Sequence, residues 1–224
     1  MTMDQTQLVH ALSQPFLAVP WCATLLSDSS IVPFIPTCRL QGEAAIKSRT
    51  QDQLFRKTLL HDDAVPHCVG FYTDPSHPSN QSGNTSPSKD SPSLLVRAAS
   101  LLFDLRAGVA GFNGTVHGGL IASIIDEAMG SYILVNHQYQ TRYEQTHGSL
   151  PEDIFNLNNR RVFTAGMNVQ LQRPIPIPGM VQVTVGLNRI ERRKIFLDVK
   201  VKGKDGVQHA SCDGLWLSLP LEAV

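Results

Sequence analysis

The stretch Gly111-Phe-Asn-Gly-Thr-Val-His117-Gly118-Gly119-Leu-Ile-Ala-Ser-Ile-Ile-Asp126-Glu127-Ala-Met-Gly130 decides the fold of this chain. It begins as a glycine-rich loop and continues as an almost wholly apolar segment that predicts a helix from about residue 117 to residue 135. A helix that is apolar on nearly every side is typically buried in a domain. The N–H groups at the start of such a helix lack partners and attract negative charge.

The acid pair inside this predicted helix indicates chemistry. A carboxylate on a buried helix is costly unless it is hydrogen-bonded or functional. Oxyanion donors beside a carboxylate in apolar surroundings favour acyl transfer. Asp126 is the preferred acid, and its structural alternative is an exposed or salt-bridged helix residue. Glu127 is the alternative functional acid. As the next residue in the sequence, it points ~100° further around the helix.

The distance between the two candidate groups predicts a dimer. Gly118 and Asp126 are eight positions apart, which is ~12 Å along a helix axis. One carbonyl carbon cannot lie ~3 Å, the reach of a hydrogen bond, from both groups of one helix. A shared site therefore needs Gly118 from one chain and Asp126 from another, and two such sites would form in a homodimer.

The sequence around this helix predicts an antiparallel sheet, and hence an α+β fold. Four segments after it show β-branched alternation typical of strands: 162–172, 180–190, 195–202 and 207–219. Two earlier segments, 68–72 and 93–105, are further strand candidates. Residues 136–160 are polar, and we expect them to form an irregular connection.

The chain of 224 residues divides into two predicted parts. Residues 1–62 form an N-terminal extension with a helix within 42–60 that packs on the domain, and residues 63–224 form the domain itself. Residues 74–93 include seven Ser and four Pro, so this segment has little to bury and predicts a disordered surface loop.

Composition excludes several classes of protein. Nineteen basic and nineteen acidic residues cancel, which argues against a nucleic-acid partner. No apolar stretch reaches the ~20 residues of a membrane span, and no targeting segment is recognisable, so a cytoplasmic protein is expected. The four cysteines are too widely spaced for a zinc pattern. We expect no metal and no cofactor.

Two motifs, in this order, resemble the hotdog-fold acyl-CoA thioesterases. The first is His117-Gly-Gly followed by Asp126, and the second is Phe163-Thr164-Ala-Gly-Met-Asn168-Val-Gln-Leu-Gln-Arg173-Pro174. The second motif is similar to a segment of the phenylacetyl-CoA and human-mitochondrial-type subgroups. An extension with Pro20-Trp21 looks like that of fungal members. The resemblance covers about residues 65–219 and implies an antiparallel β-sheet wrapped around a long central helix.

The resemblance also implies roles for residues in the hydrolysis of an acyl thioester. Asp126 would be the general base or the nucleophile, and the Gly118 N–H would polarise the thioester carbonyl. Thr164 would help to place the water, with an ordinary strand threonine as the alternative. His117 would shape the loop and hydrogen-bond near the carbonyl, or be structural only.

Further residues are candidates for binding the substrate. Gly119 and Asn113 belong to the loop, and many relatives have an asparagine six positions before the histidine, where this chain has Gly111. The remaining candidates are Asn168, Arg173 and Lys194, of which the two basic residues would contact the phosphates of a carrier or simply be solvated strand ends.

The expected partners are an acyl-CoA or acyl-carrier-protein thioester in lipid or polyketide metabolism, and a second copy of the chain in a homodimer or a dimer of dimers. Two alternative functions remain open. One is a hotdog hydratase or dehydratase, and the other is a non-catalytic protein that binds acyl groups.

Overall fold

The computed structural model describes residues 5–40, 52–77 and 92–221. Seven strands form one antiparallel sheet in the order β1-β2-β3-β5-β6-β7-β4. The strands are β1 Ile31–Phe34, β2 Cys68–Thr73, β3 Ala98–Leu105, β4 Arg160–Leu171, β5 Gly179–Glu191, β6 Lys194–Lys202 and β7 Gln208–Pro220. The helices are α1 Gln5–Leu17, α2 Pro20–Leu26 and α3 Gly118–His147.

The core lies between α3 and one face of the sheet. Along α3, Ile124, Ile125 and Ala128 are fully buried. Every second residue is buried over 181–185 of β5 and throughout β6, as expected for strands with one face on a core. The four strands after the helix, and the start of the helix itself, lie where the sequence predicted them. The predicted α+β architecture is therefore confirmed.

The expectation of an irregular connection over residues 136–160 is wrong for its first half, because α3 continues to His147. Two amide side chains in this half are buried and bind backbone groups of neighbouring segments. Asn136 accepts from the Val96 N–H at 2.9 Å, and Gln140 accepts from the Leu157 N–H at 2.8 Å. Gly148, with φ of 84°, then ends the helix.

The same helix bears on the expectation that no segment spans a membrane. By length and composition alone α3 is long and apolar enough to do so. More than half of the relevant window is buried inside the protein, which is the position of the central helix of a packed domain. The criterion is therefore weak evidence for a membrane segment here.

The N-terminal extension adds a strand to the sheet. β1 pairs with β2, with Ile31 opposite Thr73 and Phe34 opposite Gly70. Phe16 of α1 and Cys22 of α2 pack in a second apolar cluster with Val69, Phe71 and Leu102, on the sheet face opposite α3. The extension thus covers the outer face of the sheet.

Two predictions fall largely outside the described residues. Of the predicted helix within 42–60, residues 41–51 are not described, and the described remainder contains a short π-helical turn, Leu54–Thr58. Of the predicted loop over 74–93, residues 78–91 are not described.

Candidate functional site

The two side chains predicted to act on water are in contact. The Thr164 hydroxyl donates a hydrogen bond of 2.8 Å to Oδ1 of Asp126. Thr164 lies on β4, which ends the sheet, and a β-bulge follows it in the pairing with β7. The fold thus joins residues from the two sequence motifs in one site.

The surroundings of Asp126 differ from the expectation. The side chain is exposed in the single chain, whereas the apolar sequence around it predicted a buried carboxylate. The physical reason is its position on the helix, because Asp126 lies on the side of α3 next to the open edge strand β4. Ile124, Ile125 and Ala128 lie on the buried side.

His117 caps the N-terminus of α3. Its backbone is extended, with φ of −62° and ψ of 133°, and its imidazole Nδ1 accepts a hydrogen bond of 2.9 Å from the Gly119 N–H. A neutral His117 with this bond carries its proton on Nε2. The Gly119 N–H is therefore occupied, and the exposed Nε2–H remains a donor for a ligand.

Gly118 supplies the free donor at this helix start. The first N–H of a helix has no acceptor within the helix, and none is found for Gly118 among the residues that the structure describes. The amide is also accessible from the loop side, because a glycine has no side chain. Of the two glycines, Gly118 rather than Gly119 can hold an oxyanion in this conformation.

The loop before the helix explains why residue 111 is glycine. A Cβ atom at Gly111 would lie 2.8 Å from the Cα of His117, so a side chain such as that of asparagine does not fit. The loop closes through the Gly111 N–H, which donates to the Thr115 carbonyl at 2.9 Å. Asn113 is exposed within this turn.

Gly118 and Asp126 lie near opposite ends of β4. A Cβ atom at Gly118 would lie 3.0 Å from Cδ1 of Leu171, while Asp126 contacts Thr164. These two strand positions are ~23 Å apart at the rise of an extended chain. The helix and the strand therefore both separate the two candidate groups within one chain.

The remaining predicted binding residues are distributed along the same surface. Asn168 donates to Oδ2 of Asp213 at 3.4 Å. Lys194 is opposite Leu217, which is opposite Phe163, so it lies at the Thr164 end of the sheet edge. Arg173 is exposed beyond the other end of β4. One chain does not bring Arg173 and Lys194 together.

Glu127 has a different environment. Its Oε1 accepts hydrogen bonds from the Thr37 hydroxyl and from the Cys38 N–H, the latter at 3.1 Å. Burial raises the pKa of the Glu127 carboxyl, and the hydrogen bonds from Thr37 and Cys38 oppose that shift. Glu127 thus links the N-terminal extension to α3 through hydrogen bonds, a structural role that the sequence did not predict.

Arg39 completes this attachment. The side chain is buried, and its guanidinium donates to the carbonyls of Phe55 at 2.8 Å and Val65 at 2.7 Å. A buried cation that binds several carbonyls fixes the segments that it joins.

Within the ranges that the structure describes, no cluster of three metal-binding side chains exists.

Comparison with known proteins adds sequence relatives. The chain is 24% identical over 179 residues to verlamelin biosynthesis protein B of a Lecanicillium species, covering 74% of this chain and 71% of the relative. It is 29% identical over 113 residues to the acyl-coenzyme A thioesterase THEM4 of Bos taurus, covering 50% of this chain and 37% of that protein. The match thus spans little more than a third of the bovine protein.

Among solved structures, a hypothetical thioesterase from Streptococcus pneumoniae TIGR4 with coenzyme A is similar at 9% identity and a TM-score of 0.43, covering 55% of this chain and 80% of that chain. The family model described as the thioesterase superfamily matches residues 113–210, which include the helix start, Asp126 and all of β4. This part of the chain is therefore similar to the thioesterase superfamily, and the antiparallel sheet packed on α3 is the arrangement expected of a hotdog fold.

Proposed function

We propose that this protein hydrolyses an acyl thioester of coenzyme A or of an acyl-carrier protein, with Asp126 as the general base or nucleophile, in a homodimer with two composite sites. The observation that carries the proposal is the hydrogen bond from Thr164 to Asp126 at the open edge of the sheet. A hydroxyl that orients one carboxylate oxygen leaves the other oxygen to act on water or on the substrate.

The proposed reaction needs one base and one oxyanion donor. Asp126 removes a proton as a water molecule adds to the thioester carbon, or attacks that carbon itself. The Gly118 N–H stabilises the negative charge that develops on the carbonyl oxygen. When water is the nucleophile, the carbon–sulfur bond then breaks, the carrier thiolate takes up the proton held by Asp126, and a free acid remains. When Asp126 attacks, the same bond breaks to leave a mixed anhydride, and a water molecule hydrolyses it to the free acid while its proton passes to the thiolate.

The edge strand β4 supports the proposed dimer. It has twelve residues, and its outer edge is unpaired within the described part of the chain. Phe163 and Leu171 on it are 50% and 57% exposed. A long, open and partly apolar edge is suited to pairing with another strand, and a second copy of β4 is a matching partner for a two-fold dimer.

The position of Gly118 suggests the register of this pairing. If Thr164 lies opposite Leu171 of a second copy, the Gly118 that contacts that Leu171 comes to the side of the first chain's Asp126. The same register places Arg173 of the second copy beside Val162, at the end of the sheet where Lys194 lies. Both cations would then be available to the phosphates of one carrier.

The names of the relatives favour one carrier and one kind of metabolism. The bovine relative is named for acyl-coenzyme A, which favours that carrier over a carrier protein, and the Lecanicillium relative is named for a biosynthetic role, which favours lipid or polyketide metabolism. All four cysteines are buried and free, which supports a reducing compartment such as the cytoplasm.

The test is a hydrolysis assay with acyl-CoA thioesters from acetyl to stearoyl, in which a thiol reagent detects released coenzyme A. Hydrolysis by the wild-type protein and its loss in Asp126→Asn are expected, with both proteins dimeric by light scattering. A folded protein that hydrates an enoyl-CoA without hydrolysing any thioester would contradict the proposal in favour of a hydratase. Inertness toward all of these would favour an acyl-binding protein.

A further inference from the structure

A cavity of about 520 Å³ lies beside the N-terminal extension. Its wall combines the N-terminal extension, the chain between β4 and β5, and the turn between β6 and β7. The apolar part of this wall includes Val19, Trp21, Ile175, Pro176, Met180 and Val207. The volume is in the range of cavities that hold a small organic ligand.

The cavity is separate from the Asp126 site. Met180 and Asp104 line it and are opposite each other in β5 and β3. Met180 packs against the apolar cluster under α1 and α2, so this part of the wall belongs to the sheet face that points away from α3. Ile175 and Val181 on the same wall belong to the core between the sheet and α3, whereas Asp126 and Thr164 do not line the cavity.

The polar wall contains a donor without an acceptor. Arg106 forms a salt bridge of 2.6 Å with Asp104, which is only 2% exposed. Nε of Arg106 is buried and has no hydrogen-bond partner. Because this Nε is not accessible, a ligand would bind the rest of the guanidinium. The Arg106 side chain is 42% exposed, and its outer N–H groups can form charge-assisted bonds with an anion.

The other charged groups on the wall lie near the β6–β7 turn. Lys204 and Asp205 are exposed there. His209 is half-buried, and the Pro174 carbonyl lies 2.8 Å from its Nδ1, so Nδ1 carries a proton and donates. Arg106 is paired with Asp104, and Lys204 is adjacent to Asp205, so the wall has two cations and two anions. Lys204, on a long flexible side chain, is the cation that can reach an anionic group at the opening.

We propose that this cavity binds an amphipathic monocarboxylate, a fatty acid or a close analogue, with its aliphatic tail on the apolar wall and its carboxylate at Arg106 and Lys204. An apolar lining and a partly exposed guanidinium match this chemistry. The inference does not rest on hydrolysis. Because acids of this class are also products of the proposed reaction, binding is tested in Asp126→Asn, where product formation is absent.

Trp21 provides a local reporter. The chain has two tryptophans, Trp21 on the cavity wall and Trp216 in the core. In Trp216→Phe, all tryptophan fluorescence comes from Trp21. A fatty acid with bromine on its tail is expected to quench this emission saturably, and the bromine-tagged alcohol of equal length to quench it only at higher concentration. Titration calorimetry with the untagged acid on Asp126→Asn gives the same affinity without the Trp216 substitution.

Matched variants locate the ligand. Val207→Phe fills the cavity and should abolish binding, and the paired change Asp104→Asn with Arg106→Gln removes the guanidinium without leaving a buried charge alone. Lys204→Gln should weaken binding about fivefold, the effect of losing one exposed charge contact, while Lys57→Gln, on the exposed surface elsewhere, should not. No saturable binding, equal binding of acid and alcohol, or unchanged binding in Val207→Phe would overturn the proposal.

Discussion

Asp126 and Glu127 are consecutive residues on α3 with opposite surroundings. Asp126 is exposed beside the open edge strand and accepts a hydrogen bond from one neutral hydroxyl, that of Thr164. Glu127 faces the N-terminal extension, accepts from Thr37 and Cys38, and has a pKa raised by burial. A step of ~100° around the helix separates a candidate reactive group from a structural one.

The comparison shows what each environment permits. A carboxylate that must meet a substrate and a second chain needs an accessible surface, and β4 leaves that surface open. A carboxylate that is covered by another part of the same chain can only stabilise that contact. The side of the helix, rather than the apolar sequence around the acids, therefore distinguishes their roles.

The largest expected effect is on activity when Asp126 is neutralised. Asp126→Asn keeps the shape of the side chain but removes the charge that acts on water, so we expect kcat to fall by at least ~10²-fold. Glu127→Gln should keep kcat within a few-fold of the wild type, because its carboxylate is covered. Steady-state hydrolysis of acyl-CoA measures both. Equal losses in both variants would show that the acids do not have separate roles.

The second prediction tests whether the open edge is completed by another chain. Asp126→Asn and Gly118→Pro should each be inactive, and subunit exchange between them should restore about a quarter of the wild-type activity. Random exchange in a two-fold dimer gives about half mixed dimers, each with one intact site. The measurement is hydrolysis before and after exchange. No recovery despite proven exchange would place each site within a single chain.

Gly118→Pro is suited to this test because it should fold. Gly118 is the first residue of α3, a position where proline is well tolerated. The extended backbone of His117 is also compatible with a following proline. Gly118→Ala is the matched control, since it introduces the same Cβ next to Leu171 but keeps the N–H. It should retain most of the activity.

A smaller effect is expected when the partner of Asp126 is removed. Thr164→Val keeps the branched shape but loses the hydroxyl that donates to Oδ1, so we expect kcat to fall about tenfold, as for the loss of one hydrogen bond to a charged group. Thr164→Ser should restore most of the rate. If valine and serine behave alike, the hydroxyl has no part in the reaction.

Local patterns were enough to predict six of the seven described strands and the first part of the central helix. The alternation in β5 and β6 reports one buried face, and the His117-Gly-Gly turn marks the true start of α3. The contact between Asp126 and Thr164, 38 positions apart, was anticipated as a shared role because the resemblance linked the two motifs.

The features that were missed depend on contacts distant in sequence. Asn136 and Gln140 are polar and therefore look like loop residues in the sequence. They are accommodated inside the protein because they bind the backbone N–H groups of Val96 and Leu157. Glu127 and Thr37 are 90 positions apart, and the local sequence around neither residue predicts their contact. The exposure of Asp126 depends on which strand ends the sheet, and strand order is not encoded in any one segment.

The smallest expected effect concerns stability on the Glu127 side. Burial raises the pKa of Glu127 from its ordinary 4.5, and burial together with the nearby Glu127 charge raises that of Asp52 from 3.8 to about 6. An acid with a raised pKa binds protons more tightly in the folded state, so stability falls as pH rises from the ordinary value through the raised one.

Glu127→Gln removes the Glu127 carboxyl and also removes the nearby charge that helps to raise the pKa of Asp52. Between pH 4.5 and about 6, we therefore expect the wild type to lose more stability than this variant as the pH rises. Asp28→Asn is the opposite control, because hydrogen bonds from Ser30 lower the pKa of Asp28 below 3.8. Its contribution to stability is lost as the pH falls, at more acid values. Denaturant unfolding across this pH range measures the free energy of unfolding of each variant. If this free energy depends on pH in the same way in the wild type and in Glu127→Gln, the Glu127 carboxyl does not have the raised pKa expected from its burial.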